Sequence, residues 1–92
     1  MDQKEQELSE IRKKLKELIV TGLSLEGVDP KLIKDDEILF GEGLGLDSLD
    51  AVEIVVLLQR NWGLEVKDMK EGQKAFSSIN TLANYVYDHI KK

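Results

Sequence analysis

Residues 45–50, Gly-Leu-Asp-Ser-Leu-Asp, and the mostly apolar run 51–62, Ala-Val-Glu-Ile-Val-Val-Leu-Leu-Gln-Arg-Asn-Trp, decide the fold of this chain. Either Asp47 or Ser48 can cap the start of a helix, because a short side-chain oxygen there accepts from unpaired backbone N–H groups. With Asp47 as the cap, Ser48 takes the first helical position with its hydroxyl free, and Asp50 is a weak relative of the capping-box acid. Gly63 stands where a left-handed C-terminal cap needs a glycine. The pattern predicts a helix over about 48–62.

The residues around Ser48 carry a family resemblance. Gly-Leu-Gly-Leu at 43–46, Asp-Ser-Leu-Asp at 47–50 and Val-Glu-Ile-Val at 52–55 together resemble the attachment site of the acyl carrier proteins. In that family the serine is esterified by 4'-phosphopantetheine from coenzyme A, and the thiol of this group holds an acyl chain as a thioester. The resemblance implies that Ser48 is the attachment residue and that Asp47 and Leu49 complete the motif. Serines at helix starts are more often simple caps, but the surrounding motif favours attachment.

Length and composition agree with a small carrier. Ninety-two residues predict a single domain, 1–92, which can bury a core but not also build a deep enzyme cleft. There is no cysteine, which excludes disulfides and cysteine-based metal sites. Residues 1–5 are polar, with no signal core or membrane span, so the cytoplasm is the expected location.

The net charge of −5 is unevenly distributed. Residues 26–71 hold twelve acids against five bases, so the negative part of the chain surrounds Ser48. This charge disfavours nucleic acid and anionic membranes, and it favours basic protein partners. A helix-turn-helix DNA-binding protein is disfavoured on the same ground, because the helix at 48–62 is apolar and acidic rather than basic.

The remaining segments complete an all-α fold, a small four-helix bundle of three longer helices and one short helix. Apolar residues at steps of three and four predict a first helix over about 4–22. A long ordered loop, 24–46, follows, with a short helical turn at 30–34 and a core anchor formed by Ile38, Leu39 and Phe40. The last helix is expected to begin with Asn80 or Thr81 as N-cap. The apolar positions of the two outer helices are Leu8, Ile11, Leu15, Leu18, Ile19, then Leu82, Ala83, Val86 and Ile90.

The second helix is apolar nearly all round, and a helix of this kind in a small domain must bury or use its outer face. That face could simply pack against the long loop. Beside Ser48, and by resemblance to the family, we instead expect a partner-docking surface formed by Asp50, Val52, Glu53 and Val56. The family also places a short third helix between residues 64 and 79, where it borders a cavity for the acyl chain. The resemblance implies a pocket lined by Ile54, Val55, Leu58, Phe76 and Ile79.

The expected partners are a phosphopantetheinyl transferase and then acyl-activating, condensing and acyltransferase enzymes of fatty-acid, lipid or lipopolysaccharide synthesis. The chain is expected to be a monomer that does not insert into membranes. The lead-in Gly-Leu-Gly-Leu and the helix end Gln-Arg-Asn-Trp at 59–62 depart from housekeeping fatty-acid carriers, which suggests a specialised carrier. Two alternatives stay open, namely an aminoacyl or polyketide carrier and a cofactor-free helical interaction module.

Two kinds of chemistry are not expected. The acidic loop has no EF-hand spacing, so no specific calcium site is predicted, although a weak cation site stays open. His89, the only histidine, has neither a spacing nor an oxyanion-hole signature that would pair it with Ser48 in a catalytic triad. We therefore predict that the protein is not an enzyme and that its cofactor is covalent 4'-phosphopantetheine.

Overall fold

The computed structural model describes residues 3–25, 27–41, 43–67, 72 and 74–90. Within these residues the chain forms three α-helices, α1 (Gln3–Gly22), α2 (Ser48–Trp62) and α3 (Ile79–Ile90), and one short 3₁₀ helix, Pro30–Leu32. The described residues contain no extended strand, only two isolated bridges in the loop regions. The predicted all-α class is confirmed, and so is the short helical turn expected at 30–34.

Helix α1 forms because its apolar residues repeat at helical spacing, and it buries one face against α3 and the 3₁₀ helix. Its buried residues are Leu8, Ile11, Leu15 and Ile19. Leu18, which the spacing also placed on this face, is only half-buried. On the side facing α2, the Lys14 ammonium lies 5.9 Å from the centroid of the Trp62 ring, a cation–π contact between the two helices.

Helix α1 ends in a left-handed turn at Ser24. Leu25 N–H donates to the Val20 carbonyl at 3.0 Å, and Ser24 N–H donates to the Thr21 carbonyl at 3.3 Å. These are the two bonds of a Schellman cap, which usually has glycine at the left-handed position. Here Ser24 takes that position, with φ of 52°. The helix therefore ends at Gly22, as the sequence predicted, and Ser24 takes the left-handed position of the cap that follows.

Helix α3 begins earlier than predicted. Ser78, rather than Asn80 or Thr81, is its N-cap residue, because Ser78 Oγ and Thr81 N–H lie 3.3 Å apart and Thr81 Oγ1 accepts from Ser78 N–H at 2.9 Å. This reciprocal pair resembles a capping box with threonine as the acceptor, and it lets the helix start at Ile79. Ile90 does not join the buried face either, since 39% of it is exposed in the last turn.

The long loop between α1 and α2 is ordered and contributes to the core. Leu39 is fully buried and Phe40 is half-buried against the core, as predicted. Ile38 is a correction, because 58% of it is exposed and it holds the loop through its backbone instead. Ile38 forms an antiparallel bridge with Ser78, and Leu39 N–H donates to the Ser77 carbonyl at 3.1 Å.

The same loop segment also runs beside the residues that lead into α2. Phe40 forms a parallel bridge with Leu46, and Leu46 N–H donates to the Leu39 carbonyl at 3.1 Å. Leu46 is buried, so the chain enters α2 from an anchored position. The loop thus connects the start of α3 to the start of α2 through backbone hydrogen bonds.

The family resemblance placed a short helix between residues 64 and 79, and residues 68–71 and 73 of this range lie outside the described residues. Within the described part, Gly72, Lys74 and Ala75 are helical, and Phe76 N–H donates to the Gly72 carbonyl at 2.9 Å. Among the residues that the structure describes, none of the helices combines the length and the apolar character that crossing a membrane requires.

Candidate functional site

The start of α2 is held by a complete capping box. Asp47 Oδ1 accepts from Leu49 N–H at 2.9 Å and from Asp50 N–H at 3.2 Å. Asp50 Oδ2 in turn accepts from Asp47 N–H at 2.9 Å. Of the two candidate caps, the structure selects Asp47, and Asp50 completes the box rather than only resembling part of one.

Ser48 is therefore the first residue of α2 and needs no role in capping. It is exposed, and among the described residues no side-chain hydrogen bond engages its hydroxyl. A serine that serves as an N-cap accepts a backbone N–H with its hydroxyl oxygen, whereas the hydroxyl oxygen of Ser48 is exposed to solvent. The arrangement gives an accessible hydroxyl on a rigid helix end.

The surroundings of Ser48 fit a phosphodiester. The N-terminus of a 15-residue helix carries a positive partial charge, which favours an attached anion by about 0.3–1 kcal/mol at an exposed site. Asp47 and Asp50 are negative, but both use carboxylate oxygens on backbone N–H groups of the first turn. The residues present can thus hold the group without any change in the cap.

The residues expected to dock partners lie on the outer side of α2. Leu49 is 76% exposed, and Val52 and Glu53 are also exposed. Val56 is half-buried but is not among the side chains packed against the core. Asp50 is half-buried because of its role in the capping box. An apolar strip rimmed by acids therefore begins at the serine, and the alternative that this face packs against the loop does not apply to Leu49 or Val52.

The residues expected to line an acyl pocket lie on the opposite side of α2 and beyond it. Ile54 and Leu58 are almost fully buried, and Phe76 and Ile79 are fully buried in the same core cluster. Val55 is half-buried against that cluster. The structure thus gathers all five side chains at one core, between α2 and the segment that leads into α3.

Two other sequence predictions concern residues away from Ser48. Among the described residues there is no group of three or more side chains that could hold a metal ion, and Glu42 of the acidic loop lies outside those residues. His89 Nδ1 lies 2.8 Å from the Tyr85 carbonyl, and the rings of Tyr85 and His89 lie 4.1 Å apart between centroids, with their planes tilted by 43°. The histidine is thus engaged within α3.

Sequence reasoning missed one cluster of charged residues. Asp35 in the loop lies 2.7 Å from Lys16 Nζ and 3.7 Å from Arg12 Nε, both on α1. Arg12 also pairs with Glu5 at 2.5 Å. Helical spacing showed that Arg12 and Lys16 share a face, but only the fold of the loop shows which acid they meet.

Comparison with known proteins identifies the family. Residues 13–86 match the family model described as the phosphopantetheine attachment site. The chain is 31% identical over 84 residues to the acyl carrier protein of Chloroherpeton thalassium, covering 91% of this chain and 98% of that one. It is 32% identical over 83 residues to the acyl carrier protein of Clostridium perfringens strain SM101, covering 86% of this chain and 96% of that one.

The chain belongs to the acyl carrier protein family, whose members carry a covalently attached phosphopantetheine group. Its function is that of a carrier and not of an enzyme.

Proposed function

We propose that Ser48 is the attachment residue and that the whole chain works as one carrier domain. The observation that carries this proposal is the exposed hydroxyl at the first position of α2, left unengaged by a cap that uses Asp47 and Asp50 instead. Leu49 completes the motif. When bound, the group would supply the thiol that holds an acyl chain as a thioester, and the chain contains no cysteine that could do so.

The attachment can be tested by intact mass after incubation with coenzyme A, magnesium and a broad-specificity phosphopantetheinyl transferase. We expect the wild-type chain to gain the mass of one phosphopantetheine and the Ser48→Ala variant to gain none. Ser9→Ala is the matched control, because Ser9 is also an exposed helical serine, and it should be modified like the wild type. Modification of Ser48→Ala would show that another residue is the attachment site.

We further propose that Val52, Glu53, Val56 and Asp50 form the surface on which partner enzymes dock. The support is the apolar strip at Leu49 and Val52, exposed next to Ser48 and flanked by acids. An exposed apolar patch with a polar rim is typical of a protein interface, and acids steer a basic partner. The partners would be the transferase first and then acyl-activating, condensing and acyltransferase enzymes.

The docking surface can be tested with Glu53→Lys in the same transferase assay. Reversing this charge should lower kcat/KM by about tenfold, because it removes an attraction and adds a repulsion at the interface. Glu65→Lys is the control, since it makes the same charge reversal at an exposed residue beyond the far end of α2, and it should change kcat/KM by less than about twofold. Equal effects of the two variants would assign the loss to net charge instead of to a docking surface.

We propose that the acyl chain lies among Ile54, Val55, Leu58, Phe76 and Ile79. These residues already form one apolar cluster, so an acyl chain that enters the cluster exchanges contacts with water for contacts with hydrocarbon. Nuclear Overhauser contacts between a bound acyl chain and the rings or methyl groups of these residues test the proposal. If these contacts are absent and the acyl chain lies in solvent, the proposal is contradicted.

The finer pathway is also a proposal. We propose delivery to fatty-acid, lipid or lipopolysaccharide synthesis, with family membership as the support, and Gln59, Arg60 and Trp62 at the end of α2 suggest a specialised carrier. Equal turnover of this chain and of a housekeeping carrier by standard fatty-acid synthase enzymes would argue against that specialisation. A cytoplasmic location and a monomeric state stay predictions.

A further inference from the structure

A basic groove lies between α1 and the 3₁₀ helix, away from the Ser48 site. It is an open depression of about 330 Å³ to which α1, the 3₁₀ helix and the loop contribute. Among the residues that the structure describes, four cations line it, in a chain whose net charge is −5. The charged residues of this basic groove are Arg12, Lys13, Lys16, Glu17, Lys31 and Asp35.

Two of the cations are fixed in place on α1. Arg12 and Lys16 both pair with Asp35, and their side chains are only 15% and 18% exposed. An ammonium group has three donors and a guanidinium group has five, so these ion pairs leave N–H groups that can donate to a ligand. Asp35 therefore holds two cations close together without using all of their donors.

The other two cations border the groove. Lys13 and Lys31 are exposed, and among the described residues neither side chain has an ion-pair or hydrogen-bond partner. Their flexible side chains can reach a bound group from α1 on one side and from the 3₁₀ helix on the other. Pro30 and Asp29 fix the backbone beside Lys31, because Asp29 Oδ1 accepts from Lys31 N–H at 2.9 Å.

The charges select the kind of ligand. Glu17 and Asp35 lie in the groove, and Glu5 pairs with Arg12, so a singly charged carboxylate would gain little there. A phosphate group carries up to two charges and several acceptor oxygens, so it can accept hydrogen bonds from more than one of these cations. The volume of the groove equals that of roughly ten water molecules in the liquid, which suffices for a phosphate group and part of the molecule that bears it.

We propose that the basic groove binds a phosphate-class anion, either as a free phosphate compound or as the headgroup of a lipid. The groove shares no residue with α2, so this assignment is independent of the attachment at Ser48. It gives the chain a second binding surface whose charge is opposite to that of the acidic docking surface.

The test is a nuclear magnetic resonance titration of the ¹⁵N-labelled chain with pyrophosphate, at constant ionic strength set by chloride. We expect saturable shifts at the amides of Lys13, Lys16, Lys31 and Asp35. The Lys13→Ala/Lys31→Ala pair should weaken binding about two- to fivefold, as expected for the loss of two exposed ion pairs. The control pair Lys67→Ala/Lys74→Ala removes the same charge at exposed positions outside the groove and should bind like the wild type.

Absence of saturable shifts in the wild type would overturn the proposal, and so would equal weakening in both variant pairs. Phosphatidylcholine vesicles with and without phosphatidic acid then separate the two sources of the anion. Sedimentation that requires phosphatidic acid and that pyrophosphate reverses would support a lipid headgroup. Saturable pyrophosphate binding without sedimentation would support a free phosphate compound.

Discussion

Gly43 lies against the carbonyl oxygen of Ile38, and a Cβ at residue 43 would overlap that oxygen. The same carbonyl accepts from Leu44 N–H at 3.0 Å, which holds the two loop segments together. Any side chain at position 43 must push these segments apart or break the hydrogen bond. Close approach of backbone to backbone therefore explains the first glycine of the Gly-Leu-Gly-Leu lead-in.

We expect Gly43→Ala to lower the free energy of unfolding by about 1–3 kcal/mol, the usual cost of a steric overlap in a packed region. Urea unfolding followed by circular dichroism measures this loss. Gly41→Ala is the control, because Gly41 has a positive φ of 65° but open space around its α-carbon, so it should lose only about 1 kcal/mol. A loss at Gly43 no larger than the loss at Gly41 would contradict the overlap.

At the scale of the helix, the C-terminus of α1 keeps a serine where a glycine is easier to accommodate. Ser24 has a left-handed backbone, φ 52°, while its N–H and that of Leu25 complete the Schellman bonds. An L-residue in this conformation costs about 1–2 kcal/mol relative to the right-handed region, and glycine avoids that cost. The helix end is thus strained at one known residue.

Ser24→Gly should raise the free energy of unfolding by about 0.5–1 kcal/mol, since relief of strain exceeds the added freedom of the unfolded chain. Ser9→Gly makes the same exchange at an exposed interior position of α1, where glycine should instead cost about 0.5 kcal/mol. Thermal and urea unfolding of both variants measure whether each substitution raises or lowers the free energy of unfolding. Destabilisation by Ser24→Gly would show that the side chain of Ser24 contributes more than its backbone strain costs.

Helix boundaries were predictable where the cap residues lie next to the apolar run. Asp47 and Gly63 define α2 in the sequence, and the structure places the helix between them. The start of α3 was not predictable in the same way, because several residues that can cap stand together at 77–81. The hydroxyl of Thr81 decides among them by accepting from Ser78 N–H and donating to the Ala75 carbonyl at 2.7 Å.

At the scale of the whole molecule, the long loop acts as a fourth packing element. Leu39 is fully buried in the core, while its neighbour Ile38 is exposed. The two residues alternate because backbone bonds to Ser77 and Leu46 hold the segment extended between the starts of α3 and α2. Sequence alone marked the segment as apolar, but which side chain points inward depends on these long-range bonds.

We expect Leu39→Ala to lower the free energy of unfolding by about 2–5 kcal/mol, because it opens a cavity in the core. Ile38→Ala, one residue away, should change it by no more than about 0.5 kcal/mol. Chemical denaturation of the two variants side by side makes the comparison. Similar losses in both would contradict the burial of Leu39 and the exposure of Ile38.

The same long-range dependence limits prediction of functional sites. Ser48 and its motif are contiguous in the sequence, so local capping rules and a family resemblance were enough to select them. The basic groove joins residues 9–17 to residues 30–35, and it exists only because the 3₁₀ helix folds back onto α1. The sequence shows how many cations the chain has, but it does not show that these four lie side by side in the fold.

The contact between Lys14 and Trp62 gives the molecule an optical signal of its own. Trp62 is the only tryptophan, and it lies about 21 Å along α2 from Ser48, at 1.5 Å of rise per residue. Its fluorescence therefore comes from a single indole at the junction of α1 and α2. Because the ammonium group sits over the ring, separation of the two helices changes the emission without any label. Chemistry at Ser48, at the other end of the helix, leaves this reporter in place.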